Sequence, residues 1–229
     1  MEDLNCWEEK LVICEYAKKL LDKIEYLNRK VKNSINPEEV RKGIYYARKY
    51  HGSQMRKSGD PYYSHPIEVA IMLAEFLAEE APKLYTAVML QAALLHDTIE
   101  DTELTKETIA EIFDEEVAKH VEGLTRIKPH GKITAAESLN LLIKQKRYDT
   151  ALIKIFDRIH NIKTLSAKSP EKARKILEET LINFLLVAAK IDYKLEQEFT
   201  ELCLKAFNIE FEKQKTFSNN NFQLPSLTL

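Results

Sequence analysis

Leu94-Leu95-His96-Asp97-Thr98-Ile99-Glu100-Asp101 sets an adjacent His-Asp pair and an adjacent Glu-Asp pair at the end of an apolar run. Acidic side chains strongly prefer water, so placing them where Leu90, Leu94 and Leu95 lead into a core is unfavourable unless a cation offsets it. A divalent metal is the economical explanation. The plainer alternative is a helix C-terminus whose histidine meets the dipole and whose acids solvate the next turn, and a lone His-Asp pair would favour it. Further ligand candidates change the balance. His65 stands before Pro66 at a helix start, where the positive helix end favours the neutral imidazole that coordination needs. Asp157 lies in the helical stretch Ile155 to Leu165. Two histidines and two aspartates make a mixed nitrogen and oxygen shell with positions left for water and substrate oxygens. That set suits hydrolysis, because a metal acidifies bound water and stabilises charge on a phosphoryl oxygen. Glu100 and Asp101 are placed to orient the water and relay its proton.

The elements that must hold these residues read as helices. Only five glycines against 45% hydrophobic and 31% charged residues point to an all-α fold rather than a turn-rich sandwich or a glycine-rich nucleotide fold. The spacing predicts a leading helix over 7–32, then a second from the Asn36 cap and Pro37 to near Gly52. Residues 54–61 should be an exposed loop carrying Arg56, Lys57 and Ser58. Ser64-His65-Pro66 opens a helix through about residue 78, and another runs from Leu84 to Leu95. Thr105 and Asp114 are candidate caps, and Thr134-Ala135-Ala136-Glu137 reads as a capping box for a helix to about Arg147. Helices over 150–166 and within 171–206 follow, and the last dozen residues are expected to be disordered. On 150–166, Leu152, Ile155, Ile159 and Ile162 share one stripe, while Asp157, Asn161 and Thr164 share the other. Alone, such a polar stripe reads as a solvated face. No Asn-Gly or Asp-Gly hairpin signal occurs. The expected organisation is a helical extension over 1–34, a compact multi-helix domain over 35–195 and a helix end with a tail over 196–229.

Thirty-four basic against thirty-six acidic residues, a formal charge of −2, exclude the broad electrostatic footprint that duplex nucleic acid requires. A small phosphorylated ligand needs only a local basic pocket. Cys6, Cys14 and Cys203 form no CxxC pair, which fits a reducing, cytoplasmic setting. The acidic start shows no secretory pattern, and Leu181 to Ala189 is too short to span a bilayer, so no membrane association is expected.

Several motifs together resemble the hydrolase domain of RelA/SpoT homologues, including small stand-alone alarmone hydrolases. They are His51-Gly52 with Gln54, Arg56-Lys57-Ser58-Gly59-Asp60-Pro61-Tyr62, His65-Pro66, Leu94 to Thr102, Val121-Glu122-Gly123-Leu124-Thr125 and Lys154 to Asn161. The likeness covers roughly residues 36–190. It implies an HD-domain phosphohydrolase fold, with His65, His96, Asp97 and Asp157 matching the ligands of one divalent ion, usually Mn²⁺. It also matches Glu100 and Asp101 to the catalytic acids, Arg56, Lys57 and Ser58 to a guanosine-nucleotide loop, and Asn161 and Thr164 to further nucleotide contacts. The implied reaction is hydrolysis of the 3′-diphosphate of ppGpp or pppGpp to GDP or GTP and pyrophosphate.

His51 and His160 belong to the likeness in a supporting or structural role, and Tyr62 and Tyr63 read as packing residues. Three departures stand out: the 31-position interval from His65 to His96, no counterpart to the synthetase and regulatory regions of long members, and a leading helix without clear equivalent. Two rival readings remain. One is an HD phosphohydrolase for another nucleotide such as NADPH, and the other is a non-catalytic nucleotide-binding remnant of a bifunctional protein.

Overall fold

The computed structural model describes residues 7–220, with side chains through Ile209. Its described elements are helices apart from one two-stranded hairpin. Two compact units form, residues 1–160 and 161–229, the boundary falling within the helix Tyr148–Lys163.

In the first unit the leading helix is broken. A turn of helix, α1 (Trp7–Lys10), is followed by four irregular residues and then α2 (Glu15–Asn28). The interruption spans Leu11-Val12-Ile13-Cys14, where two β-branched side chains disfavour the helix and the Val12 carbonyl accepts from the Arg48 guanidinium. α2 was expected to be an extension. It packs within the unit, burying Ala17, Leu20, Ile24 and Leu27.

Local capping chemistry sets most of the remaining boundaries. Asn36 accepts from the Glu38 amide at 3.1 Å and Pro37 opens α3 (Pro37–His51), which stops at Gly52 with φ +50°. α4 (Ser64–Glu80) begins at the Ser-His-Pro segment. After a short 3₁₀ turn over Pro82–Leu84, Thr86 caps α5 (Ala87–Leu95) by accepting from the Met89 amide at 3.3 Å. A single turn, α6 (Thr98–Asp101), is followed by α7 (Lys106–Ile112), capped by Thr105, and α8 (Glu115–Leu124), whose cap Asp114 accepts from the Glu116 and Val117 amides, both at 2.8 Å. The Thr134 and Glu137 capping box opens α9 (Ala135–Lys144), and α10 (Tyr148–Lys163) follows.

Between α8 and α9 lies a hairpin that the pattern of residues did not announce: β1 (Ile127–Lys128) pairs antiparallel with β2 (Gly131–Lys132), Ile127 opposite Lys132. Pro129 fixes φ on one side of its turn, and Gly131 takes φ +117° on the other.

α5 is the hub of the first unit. Met89 through Leu95 are all buried, and α3, α4 and α8 pack around the helix. Each fully buried leucine there stabilises the fold by about 1.5 to 3 kcal/mol. α3 approaches closely through Gly43: a Cβ at that position would lie 2.8 Å from Leu94 Cδ1 and 3.6 Å from the Gln91 Cα.

The second unit contains α11 (Pro170–Glu179), a π-helical turn over Thr180–Phe184, α12 (Leu185–Ile191) and α13 (Tyr193–Asn220). Its core includes Ala173, Leu177, Phe184, Ala188, Leu195 and Phe199. Helix thus continues to Asn220, into the stretch expected to be disordered, whose remainder lies outside the described residues. Among the described residues no helix is long and apolar enough to cross a membrane.

Because Leu94 is fully buried, its methyl cannot swing away from a larger side chain at residue 43. Gly43→Val should lower stability by about 1 to 3 kcal/mol, read as a drop in the denaturant midpoint with unchanged m-value. An unaltered midpoint would contradict the close packing of α3 on α5.

Candidate metal centre and catalytic site

α5 ends one residue before His96, which places the imidazole at the bottom of the apolar hub. His96 Nδ1 donates to the Ala93 carbonyl at 2.7 Å, which leaves Nε2 as the nitrogen that faces the cluster. That Nε2 is buried and has no hydrogen-bond partner. His65, second residue of α4, is also buried, and its Nδ1 lies 2.7 Å from His160 Nδ1, so one ring donates to the other. α10 brings Asp157 in from the opposite side. His65 Nε2 is 3.1 Å from Asp157 Oδ1 and 3.7 Å from Asp97 Oδ2, and His96 Nε2 is 3.8 Å and 3.2 Å from the same two oxygens.

The ligand atoms of His65, His96 and Asp157 all fall within 4.8 Å of one another, a triad able to hold a metal ion, and Asp97 Oδ2 lies beside it, 3.2 Å from His96 Nε2. A donor set of two imidazole nitrogens and two carboxylate oxygens fits a divalent ion of the first transition row. The orphaned His96 Nε2 supplies an independent reason for one, since a buried polar atom without a partner is unfavourable.

The electrostatics point the same way. Burial works to raise the Asp157 carboxyl, but the His65 bond and the charges of His96 and His65 outweigh it and take it down to about 2. For Asp97, burial is likewise opposed by His96, which holds its carboxyl well below the ordinary carboxylate range. Burial lowers His65. On His96 it works in the same sense, yet the Asp97 charge outweighs it and pushes the imidazole up to about 9. These shifts favour the ionised form of both carboxylates.

The acidic pair that follows is not two equivalent groups. Glu100 is buried and paired with Arg126 and with Lys132, whose Nζ lies 2.7 Å away, and it also accepts from the Arg126 amide at 3.1 Å. Burial alone would raise its carboxyl, but these bonds reverse the shift and hold it low. Asp101 is pushed the other way, by burial and then by the Asp97 charge. Between Asp97 and Asp101 sits the Tyr62 hydroxyl, 2.8 Å from an oxygen of the first and 2.9 Å from one of the second. The Tyr62 ring lies 4.5 Å from that of His51, which donates through Nδ1 to Gln54 Oε1 at 3.0 Å.

Arg56, Lys57 and Ser58 occupy a tight loop. The Arg56 amide donates to the Asp60 carbonyl at 2.8 Å, the Gly59 amide returns to the Arg56 carbonyl at 3.1 Å, and Ser58 donates to Asp60 Oδ2 at 2.8 Å. The loop is fastened to the acidic pair by Gln54, which donates to the Asp101 carbonyl at 3.0 Å. Asn161 and Thr164 fall in the second unit, where the Thr164 hydroxyl points at the Asn161 carbonyl, 3.5 Å away.

Sequence reasoning missed four residues of the site. Tyr62 was read as packing, although its place three residues before His65 was visible. Arg126 and Lys132 reach Glu100 only because the unforeseen hairpin folds them over it. Lys154, which lies within a recognised motif, is buried, donates to the Leu124 carbonyl at 3.1 Å and is lowered by burial.

Comparison with known proteins agrees with this geometry. The profile of the HD domain family matches residues 43–192, and the chain belongs to that family. The chain is 37% identical over 187 residues to a Brucella ovis protein named GTP pyrophosphokinase rsh, covering 79% of this chain and 24% of the relative. It is 38% identical over 185 residues to the Aquifex aeolicus guanosine-3′,5′-bis(diphosphate) 3′-pyrophosphohydrolase, covering 79% and 26%. The chain thus spans about a quarter of the length of these curated relatives. A solved structure of a metazoan SpoT orthologue, described as hydrolysing ppGpp and acting in starvation responses, shares the fold, with a TM-score of 0.52 and 23% identity over 73% of this chain and 94% of that one.

Two outcomes test the site. Tyr62→Phe removes a hydroxyl that supports Asp97, so divalent-ion affinity should fall about 10- to 100-fold in a calorimetric titration, and unchanged affinity would show that Asp97 needs no such support. Glu100 has a folded pKa below its ordinary value of 4.5, so its ion pairs stabilise the fold above that pH and the contribution is lost as pH falls through the depressed value. The destabilisation caused by Glu100→Gln at pH 7 should therefore shrink at pH 3. An equal loss at both values would contradict the pairing with Arg126 and Lys132.

Proposed function

We propose that this chain hydrolyses the 3′-diphosphate of ppGpp or pppGpp, yielding GDP or GTP and pyrophosphate, with one Mn²⁺ ion held by His65, His96, Asp97 and Asp157. The observation that carries this reading is the convergence of four donor atoms, one of them the orphaned His96 Nε2, beside the exposed Asp101. The printed functions of the Aquifex relative and of a Synechocystis relative, 36% identical over 162 residues and named a probable 3′-pyrophosphohydrolase of the same nucleotide, support the substrate. A reducing cytosol, where guanosine nucleotides are made, suits both substrate and free thiols.

A divalent ion at this centre supplies Lewis acidity to a phosphoryl oxygen and acidity to a bound water. The protein supplies the rest. Asp101, with its raised pKa, takes the proton from the attacking water as its oxygen joins phosphorus, and returns that proton to the departing ribose 3′-oxygen. Tyr62 holds Asp101 against Asp97 through this transfer. Glu100 stays ionised and serves the reaction by fixing Arg126 and Lys132, whose positive charge lies next to the acidic pair and favours a polyphosphate. Arg56, Lys57 and Ser58 engage the guanosine nucleotide, Arg56 with a planar guanidinium and Lys57 with a compact charge, and Asn161 and Thr164 add further contacts.

The test is pyrophosphate and GDP release from ppGpp with Mn²⁺, with NADPH as competing substrate. Metal-dependent release is expected, abolished in Asp97→Ala and slowed about 100- to 10,000-fold in Asp101→Asn. Preferential phosphate release from NADPH would reassign the nucleotide, and binding without turnover of either would make the chain a nucleotide-binding module.

A further inference from the structure

The HD-domain match begins at residue 43, and α2 lies before it. The metal centre gives this helix no task. Its core face and two ion pairs, Lys19 with Glu68 at 2.7 Å and Lys23 with Glu75 at 2.5 Å, seat it along α4, the helix that carries His65. At the first turn of α2 the Tyr16 hydroxyl donates to Asp60 Oδ1 at 3.0 Å.

Asp60 is the residue on which the Arg56 to Ser58 loop closes. Its carbonyl accepts from the Arg56 amide, its other carboxylate oxygen accepts from Ser58, and Gly59 beside it takes φ +92°, a conformation held open by glycine. The ends of the loop are fastened to the acidic pair, by Gln54 on the Asp101 carbonyl and by Tyr62 on the Asp97 and Asp101 carboxylates. The tip has a separate anchor on α2. The Tyr16 ring also meets Tyr63 edge-on at 6.4 Å, and Arg48 lies over the Tyr63 ring at 5.1 Å, so the donor itself is held.

We propose that Tyr16 is a positioning residue which fixes the Arg56 to Ser58 loop in its nucleotide-receiving conformation, making α2 part of the substrate-recognition apparatus. The proposal rests on the nucleotide-binding role given to that loop above. Its physical basis is preorganisation: a loop ordered before binding loses less conformational freedom when the nucleotide arrives. With the Tyr16 donor gone, Asp60 Oδ1 loses the bond that ties it to α2, and the loop tip explores more conformations.

Tyr16→Phe keeps the ring and its edge contact while removing the hydroxyl. Its KM for ppGpp should rise about three- to tenfold, with kcat within twofold and Mn²⁺ affinity unchanged. Hydrogen exchange at the Arg56 and Gly59 amides should quicken. Lys19→Ala, which loosens the same helix without touching Asp60, should leave KM and these two amides as in the parent. Parent-like exchange in Tyr16→Phe would overturn the anchor, and quickened exchange with an unchanged KM would overturn its part in recognition. An equal KM rise in Lys19→Ala would show that general seating of α2, rather than the Tyr16 hydroxyl, governs the loop. A parent protein that does not turn over ppGpp would instead refute the function proposed above, and the exchange experiment would still decide whether Tyr16 anchors the loop.

Discussion

Two part-buried aspartates held against two buried imidazoles set the terms for everything around them. A buried carboxylate without a positive neighbour would take up a proton rather than remain charged. The histidine rings that face Asp97 and Asp157 favour their ionised form, and the Asp97 charge in turn raises His96. That arrangement leaves a histidine nitrogen buried without a hydrogen-bond partner and two carboxylates crowded within its reach. The divalent cation proposed above would engage all four groups at once.

The scaffold explains how such a cluster is held. α5 is buried from Met89 to Leu95 and apolar there apart from Gln91, so its last turn delivers His96 from a tightly packed helix. The Ala93 carbonyl then fixes the imidazole tautomer. α4 contributes His65 at its second residue, and α10 contributes Asp157 together with His160, which supports His65 from behind. The acidic pair on α6 is divided by its neighbours: the hairpin cations hold Glu100 as an ion, whereas Asp101, next to Asp97 and Tyr62, keeps a raised affinity for its proton. Adjacent carboxylates thereby receive different chemical work from different surroundings.

The parts of this design that depend on near neighbours in the chain were legible in the sequence. Asn36, Thr105, Asp114 and the Thr134 to Glu137 box act within three or four residues, and all four cap the helices expected of them. The His96-Asp97 pair stood out too, as acid and imidazole at the end of an apolar run, and the fold brings it beside His65 and Asp157. What escaped reading depends on long-range contacts. Arg126 and Lys132 look like ordinary solvated cations until the hairpin brings them to Glu100, and that hairpin turns on Pro129 and Gly131 instead of an Asn-Gly pair. Tyr62 looks like a packing residue until its hydroxyl is found between two carboxylates 35 and 39 positions away. The break after α1 was hidden because Leu11 and Cys14 keep helical spacing, while Arg48, far along the chain, takes the Val12 carbonyl.

The central claim, that this buried cluster is a metal centre, is tested most directly by anomalous diffraction from crystals of the protein loaded with Mn²⁺. The account predicts one strong anomalous peak between His65 Nε2, His96 Nε2, Asp97 and Asp157. A peak confined to other residues, or none at the cluster in protein that hydrolyses its nucleotide, would contradict it.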